Sequence, residues 1–196
     1  MVFLSKIYTK GGDEGKTGLG DGGRVWKDSA RVAAYGDVDE LNATLGLILA
    51  SAPDLIERGL LQSIQHDLFD LGADLCVPVK TDEKPGDCLR IQPAQSERLE
   101  KAIDRLNEPL EPLKSFILPG GTSAAAWLHH ARVVCRRAER TVVTLLQQEP
   151  INMNALVYLN RLSDLLFVMA RVANNGGASD VLWVPGKNRI PISDAS

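Results

Sequence analysis

Aromatic residues are scarce, at 5% of the chain, and no apolar run approaches the roughly 18 residues that a membrane helix needs. Cysteine is also sparse. Cys76, Cys88 and Cys135 are odd in number, widely spaced and without a CxxC pair, which excludes a disulfide framework and a cysteine-built metal site. They read as buried or incidental thiols, and a reducing cytoplasm is the expected compartment. A basic excess is missing: the net charge of −3 argues against a dedicated nucleic-acid binder. Any anion site must therefore be a local cluster. The apolar start Met1 to Ser5 is cut short by Lys6, so no secretory leader is expected. No Ser/His/Asp or Cys/His constellation offers a protein nucleophile.

Leu and Ala are abundant, and the chain of 196 residues is long enough for one well-buried domain. Glycine crowds into the first 27 residues, between Thr, Lys and Asp, without helical periodicity. After Asp28-Ser29, a helix start, apolar residues recur at steps of three and four. Val38, Leu41, Leu45 and Ile48 mark a first helix that Pro53 ends; Leu61, Ile64, Leu68, Leu71 and Leu75 mark a second that Pro78 stops. Residues 77–92 read as a polar loop. A third, more polar segment over about 94–107 has a narrow stripe of Leu99, Ile103 and Leu106. A fourth, over about 122–148, aligns Leu128, Ala131, Cys135, Ala138, Val142 and Leu145. A fifth, over about 154–174, aligns Leu159, Leu162, Leu166, Met169 and Ala173 before Gly176-Gly177. The pattern predicts an all-α fold, a five-helix antiparallel bundle with a glycine-rich N-terminal loop. Residues 1–28 form that segment, 29–190 the bundle and 191–196 a tail. Val181 to Val184 is too short to build a sheet and is expected to strap the bundle.

Two stretches carry chemistry. Thr9-Lys10-Gly11-Gly12-Asp13-Glu14-Gly15-Lys16-Thr17-Gly18 combines glycines that let backbone N–H groups converge on an anion with lysine charge and threonine hydroxyls. It is not a Walker A loop, because Lys10 stands where the first glycine is needed and no βαβ pattern surrounds it. Phosphate binding and a ligand-free N-terminal arm both remain open for it. The other stretch is Leu128 to Arg140. At about 100° per residue with Arg132 at the origin, Arg136 falls at about 40°, His129 at about 60° and Arg140 at about 80°. Glu139 falls at about −20°, between this strip and the apolar stripe near −80°, while Arg137 and His130 point away, at about 140° and 160°. Three arginines one turn apart repel one another, and a polyphosphate or partner carboxylates would offset that cost. A solvated basic face with Glu139 as local partner is the alternative. His129 and His130 lack partners at metal-ligand spacing. Asp39 either sits near the first helix's positive end or pairs with an arginine of the fourth helix, within or between chains. Asn160 and Asp164 share a face of the fifth helix, for an interhelix bond or a ligand.

These pieces together resemble the PduO-type ATP:cob(I)alamin adenosyltransferases. The resemblance rests on Ile7-Tyr8-Thr9-Lys10 with Gly12-Asp13 and Gly15, Thr17-Gly18-Leu19, Arg24 and Lys27, Tyr35-Gly36 with Asp39-Glu40-Leu41-Asn42, and Phe116 to Gly121. It continues through Ala131-Arg132, Cys135 to Arg140, and Leu159 to Asp164. The segments keep their order over nearly the whole chain. The resemblance implies a ferritin-like five-helix bundle assembled as a homotrimer, with active sites between subunits. The implied reaction moves the 5′-deoxyadenosyl group of ATP onto the cobalt of cob(I)alamin, forms adenosylcobalamin and releases triphosphate. Mg²⁺ would enter on the ATP phosphates without dedicated protein ligands, and a reductase would supply Co(I). Thr9, Lys10, Gly11, Gly12, Thr17, Gly18 and Lys27 would cradle ATP, completed by Arg136, Arg137, Glu139, Arg140 and Asn160. Arg136 and Arg140 would act on the reacting triphosphate. Asp39 and Arg132 would form an ion pair between subunits, and Phe116 would face the corrinoid and help displace its lower axial ligand. Members usually carry Thr where this chain has Gly11 and a residue other than lysine where it has Lys16. A non-catalytic cobalamin carrier and another ATP-binding helical-bundle enzyme are the alternatives.

Overall fold

The structure, a computed structural model, describes residues 7–8 and 10–189. The expected tail, 191–196, lies outside them. Five helices follow one another: α1 (Ala30–Ser51), α2 (Arg58–Cys76), α3 (Pro93–Asn107), α4 (Ser123–Leu146) and α5 (Met153–Ala173). α4 packs between α1 and α5, α2 packs on the other side of α1, and α3 lies against α5. Neighbours are antiparallel except for α3 with α5. Those two run the same way, with Asn152 bonded to the Ile91 carbonyl at one end and Arg171 to the Glu111 carbonyl at the other.

The apolar stripes predict the core well. Leu41, Leu45 and Ile48 of α1 and Leu61, Ile64 and Leu71 of α2 are fully buried. So are Leu128, Cys135 and Val142 of α4 and Leu159, Leu162 and Leu166 of α5. Each such aliphatic side chain contributes about 1.5–3 kcal/mol by leaving water. Helix ends are built locally. Thr122 accepts from the Ala125 N–H at the start of α4, and Gln92 and Gln95 form a reciprocal capping box at the start of α3. Gly121, at φ 101°, touches the Asn174 side chain so closely that a Cβ would collide with it. That contact ties the loop before α4 to the end of α5.

Two features differ from the sequence expectation. The glycine-rich segment is not all loop: Lys16–Gly18 (β1) pairs antiparallel with Arg24–Trp26 (β2), with Lys16 opposite Trp26 and Gly18 opposite Arg24. Strands of three residues are too short to show a period of two. The polar loop over 77–92 is also more ordered than its composition suggests. Asp74, 1% exposed, accepts from Arg90, the Ile91 N–H and Asn152. Arg90 also donates to Glu83 and to the carbonyls of Asp74, Val77 and Pro78.

The segment expected to strap the bundle pairs with the loop before α4 and stays largely exposed. Val181 to Trp183 runs beside Phe116 to Leu118, bridged at Ile117 and Leu182.

Candidate functional site

The hairpin is held by contacts of its own. Lys10 has φ 60°, a left-handed conformation uncommon for a residue with a side chain. The Gly11 carbonyl accepts from Arg24 at 2.5 Å. At Gly12 an added Cβ would lie 3.0 Å from the Lys27 Nζ, so glycine lets that ammonium lie against the loop backbone. Gly18 faces open space. The Lys16 ammonium sits 5.0 Å from the centre of the Trp26 ring, a cation–π contact internal to the hairpin. Thr9 lies outside the described residues.

The hairpin is seated on α1 and α2. The Gly20 N–H donates to the Cys76 carbonyl, and the Tyr35 phenol lies beside Thr17, with its pKa pushed up first by burial. Beneath it Arg31, 3% exposed, donates to the Leu75 carbonyl and pairs with Glu149. Beside it runs an open groove of about 420 Å³ between α1 and α2, lined by Tyr35, Asp39, Asn42, Phe69 and Cys76 among others. Asp39 is exposed in this groove and has no ion-pair partner among the described residues.

The arginines of α4 divide as their helical angles require. Arg137 turns to α1, where it pairs with Glu40 and approaches Asp37 at 3.9 Å. Among the described residues this is the one arginine ion pair between α1 and α4, and none joins Asp39 to Arg132. Glu139 turns to α5 and accepts from Asn160 at 2.9 Å; it is an interhelix acceptor rather than a partner of the basic face. Asn160 in turn accepts from Arg161, which pairs with Glu100.

Arg132, Arg136 and Arg140 are left as a ladder. The other helical arginines all donate to an acceptor: Arg31, Arg58, Arg98, Arg105, Arg137, Arg161 and Arg171. Arg136 and Arg140 are exposed without an acceptor among the described residues, and the buried Nε of Arg132 has none. His129, 3% exposed, continues the ladder inward; its Nδ1 is also unpartnered. Burial first, then the charge of Arg132, hold its pKa below the ordinary histidine value, against a smaller opposing pull from Asp180.

Phe116 lies at the opposite end of α4 from the hairpin. The residue is 78% exposed, and its ring lies 6.1 Å from the Trp183 ring between centroids. Sequence reasoning missed the role of Trp183, Arg31 and Tyr35 because each acts through a tertiary contact that leaves no periodic trace. No hydrogen bond or ion pair among the described residues joins hairpin residues Lys10 to Lys27 to Arg136, Arg140 or Asn160. Cys135 is no candidate: its thiol is buried, donates to the Leu159 carbonyl and has its pKa pushed up by desolvation.

The helical bundle thus carries an open arginine ladder on α4, a glycine hairpin at one end and an exposed aromatic at the other. Residues 7–173 match the sequence profile described as Cobalamin adenosyltransferase, and the chain belongs to that family. It is 52% identical over 183 residues to the cobalamin adenosyltransferase of Cupriavidus metallidurans, spanning 92% of this chain and 95% of that one. It is 49% identical over 191 residues to the corrinoid adenosyltransferase of Mycobacterium tuberculosis, spanning 96% and 97%. In fold it is similar to a variant PduO-type ATP:corrinoid adenosyltransferase from Lactobacillus reuteri complexed with cobalamin and ATP. The TM-score is 0.85 at 40% identity, covering 92% of this chain and 97% of that one.

Proposed function

We propose that the protein transfers the 5′-deoxyadenosyl group of ATP to the cobalt of cob(I)alamin, at sites completed between the subunits of a homotrimer. The observation that carries this reading is the ladder of Arg132, Arg136 and Arg140, which lacks acceptors among the described residues of a bundle whose other helical arginines all have them. Its charge matches a polyphosphate, for which arginine is well shaped. Lys10 and Lys27 offer cations on the hairpin, and Asp39 in the α1–α2 groove offers the carboxylate that Arg132 lacks. The hairpin with its groove and the ladder are separate within one chain. The reading that unites them places the ladder of one subunit against the groove of the next, with Asp39 and Arg132 paired across the contact.

In the proposed reaction Co(I) is the nucleophile. The Co–C5′ bond forms as the C5′–O bond breaks; triphosphate leaves with the bonding pair, and cobalt ends formally as Co(III). The protein's tasks are to hold C5′ in line with the metal and to stabilise the charge gathering on triphosphate. Arg136, Arg140, Lys10 and Lys27 suit the second task. Glu139 and Asn160, held to each other, would border the nucleotide, and Gly11, Gly12, Thr17 and Gly18 would supply the backbone and hydroxyl cradle. Arg137, tied to α1, would support this face from outside rather than touch phosphate. A Mg²⁺ ion would be held by the triphosphate and would screen its charge. Phe116 would stand under the corrinoid and keep the lower axial ligand off cobalt. That makes Co(II) easier for a partner reductase to reduce. No described helix is long and apolar enough to cross a membrane.

Incubation with ATP and chemically reduced cobalamin tests the reading. Adenosylcobalamin and triphosphate should accumulate one to one over several turnovers. Binding that stops at one equivalent would leave a carrier, and cleavage of ATP without a corrinoid spectral change would leave a different ATP enzyme.

A further inference from the structure

Phe116 is more than three-quarters exposed, yet the proposed task of its ring demands a fixed position, since a displaced wall would readmit the ligand it excludes. Nothing on its own segment fixes it. The segment is held from the side by the strap. The Trp183 N–H donates to the Phe116 carbonyl at 2.7 Å, the Ser115 hydroxyl donates to the Trp183 carbonyl at 2.7 Å, and the Leu118 N–H donates to the Val181 carbonyl at 2.8 Å. The strap is itself anchored. Asp180, 3% exposed at its side chain, pairs with Arg171 at 3.0 Å and accepts from Asn174 at 2.9 Å, both at the end of α5. Asn174 also accepts from the Thr122 N–H at the start of α4. Trp183 therefore stands three residues beyond a buried ion pair, with its N–H and carbonyl bonded to the Phe116 segment. Its ring is the aromatic partner of Phe116, at 6.1 Å and inclined by 48°.

We propose that Trp183 is a positioning residue for the adenosyl transfer: anchored through Asp180, its ring braces Phe116 in the place from which Phe116 excludes the lower axial ligand of cobalt. The proposal rests on the reading of Phe116 given above. It assigns Trp183 no contact with the reacting atoms and no part in binding ATP.

The test compares wild type with Trp183→Ala, Trp183→Leu, Trp183→Phe and Phe116→Ala, each as the whole protein with ATP and cob(II)alamin, without reductant for the spectrum and with a reduced flavin as one-electron donor for turnover. The electron paramagnetic resonance of Co(II) shows whether an axial nitrogen is bound. Trp183→Ala should retain axial nitrogen on a larger share of the bound cobalamin and lower kcat by about tenfold. Its KM for ATP should stay within about twofold of wild type. Trp183→Leu, which keeps the strap covered but offers no ring, should behave like Trp183→Ala and stands in for it if the alanine variant misfolds. Trp183→Phe should restore most of the wild-type spectrum and rate. Wild-type spectra and rates in both ringless variants, or a raised KM for ATP at unchanged kcat, would overturn the proposal. Phe116→Ala separates the two levels. If it leaves the axial-nitrogen signal at the wild-type level, the reading of Phe116 itself is wrong; if it raises the signal while the ringless variants at position 183 do not, Trp183 alone is misassigned.

Discussion

Arg136 and Arg140 lie one turn apart with no carboxylate to separate them, an arrangement that costs an isolated helix a few tenths of a kcal/mol per pair. The cost is small, but it is incurred on a helix where Arg137 has Glu40 and Glu139 has Asn160. Residues that can find partners have them, so the open pair points to a ligand. Arg136→Ala should therefore lower kcat by on the order of 10²-fold, as loss of a charge-stabilising donor does, while the melting temperature without ligand changes little. Near-normal turnover would remove Arg136 from the chemistry. His129 gives a different residue-scale expectation. Its folded pKa is depressed by burial and by Arg132, so below the ordinary histidine pKa the unfolded chain binds the proton more readily than the native one. Stability must then rise with pH from the depressed folded value up to the ordinary value, and His129→Gln should flatten that part of the profile. Denaturant titrations of both proteins across mildly acid pH measure it; identical slopes would mean that His129 takes up its proton without penalty in the native state.

At the scale of elements, the sequence was most legible where one physical effect dominates. Leu61, Ile64, Leu68, Leu71 and Leu75 reveal α2 because burial alone sets their spacing. Pro53, Pro78 and Pro150 reveal the gaps because proline cannot continue a helix. The sides taken by Arg132, Arg136, Arg137 and Arg140 followed from helical geometry alone. What stayed hidden depends on polar groups far apart in sequence: Asp74 with Arg90 and Asn152, Asp67 with Tyr158 and Arg98, Asp180 with Arg171. Composition marks residues 77–92 as loop, yet Arg90 pins that loop by donating to Asp74, Glu83 and three carbonyls. Arg90→Ala would leave the Asp74 carboxylate buried without its cation, a change that costs about 3–5 kcal/mol. Urea unfolding should show that loss as a lower midpoint with little change in slope. A loss below about 1 kcal/mol would mean that the Ile91 N–H and Asn152 are sufficient for Asp74.

For the whole molecule, the decisive arrangement is the separation of two half-sites. Lys27 and the glycine backbone sit on the hairpin over α1 and α2, whereas Arg136 and Arg140 sit on the exposed face of α4, between Arg137, which turns to α1, and Glu139, which turns to α5. If the halves come from neighbouring subunits, complementation must follow. Lys27→Ala damages one half and Arg136→Ala the other, so trimers of either variant alone contain only damaged sites. In a mixed trimer, a contact that brings the intact hairpin of the Arg136→Ala chain to the intact ladder of the Lys27→Ala chain rebuilds one undamaged site, and another contact collects both lesions. Mixing the two inactive variants under conditions that exchange subunits should therefore restore a sizeable minority of wild-type activity, peaking near equal proportions. Activity that never rises above the parent variants, although exchange is verified by differently tagged chains, would place both halves of the site within one subunit.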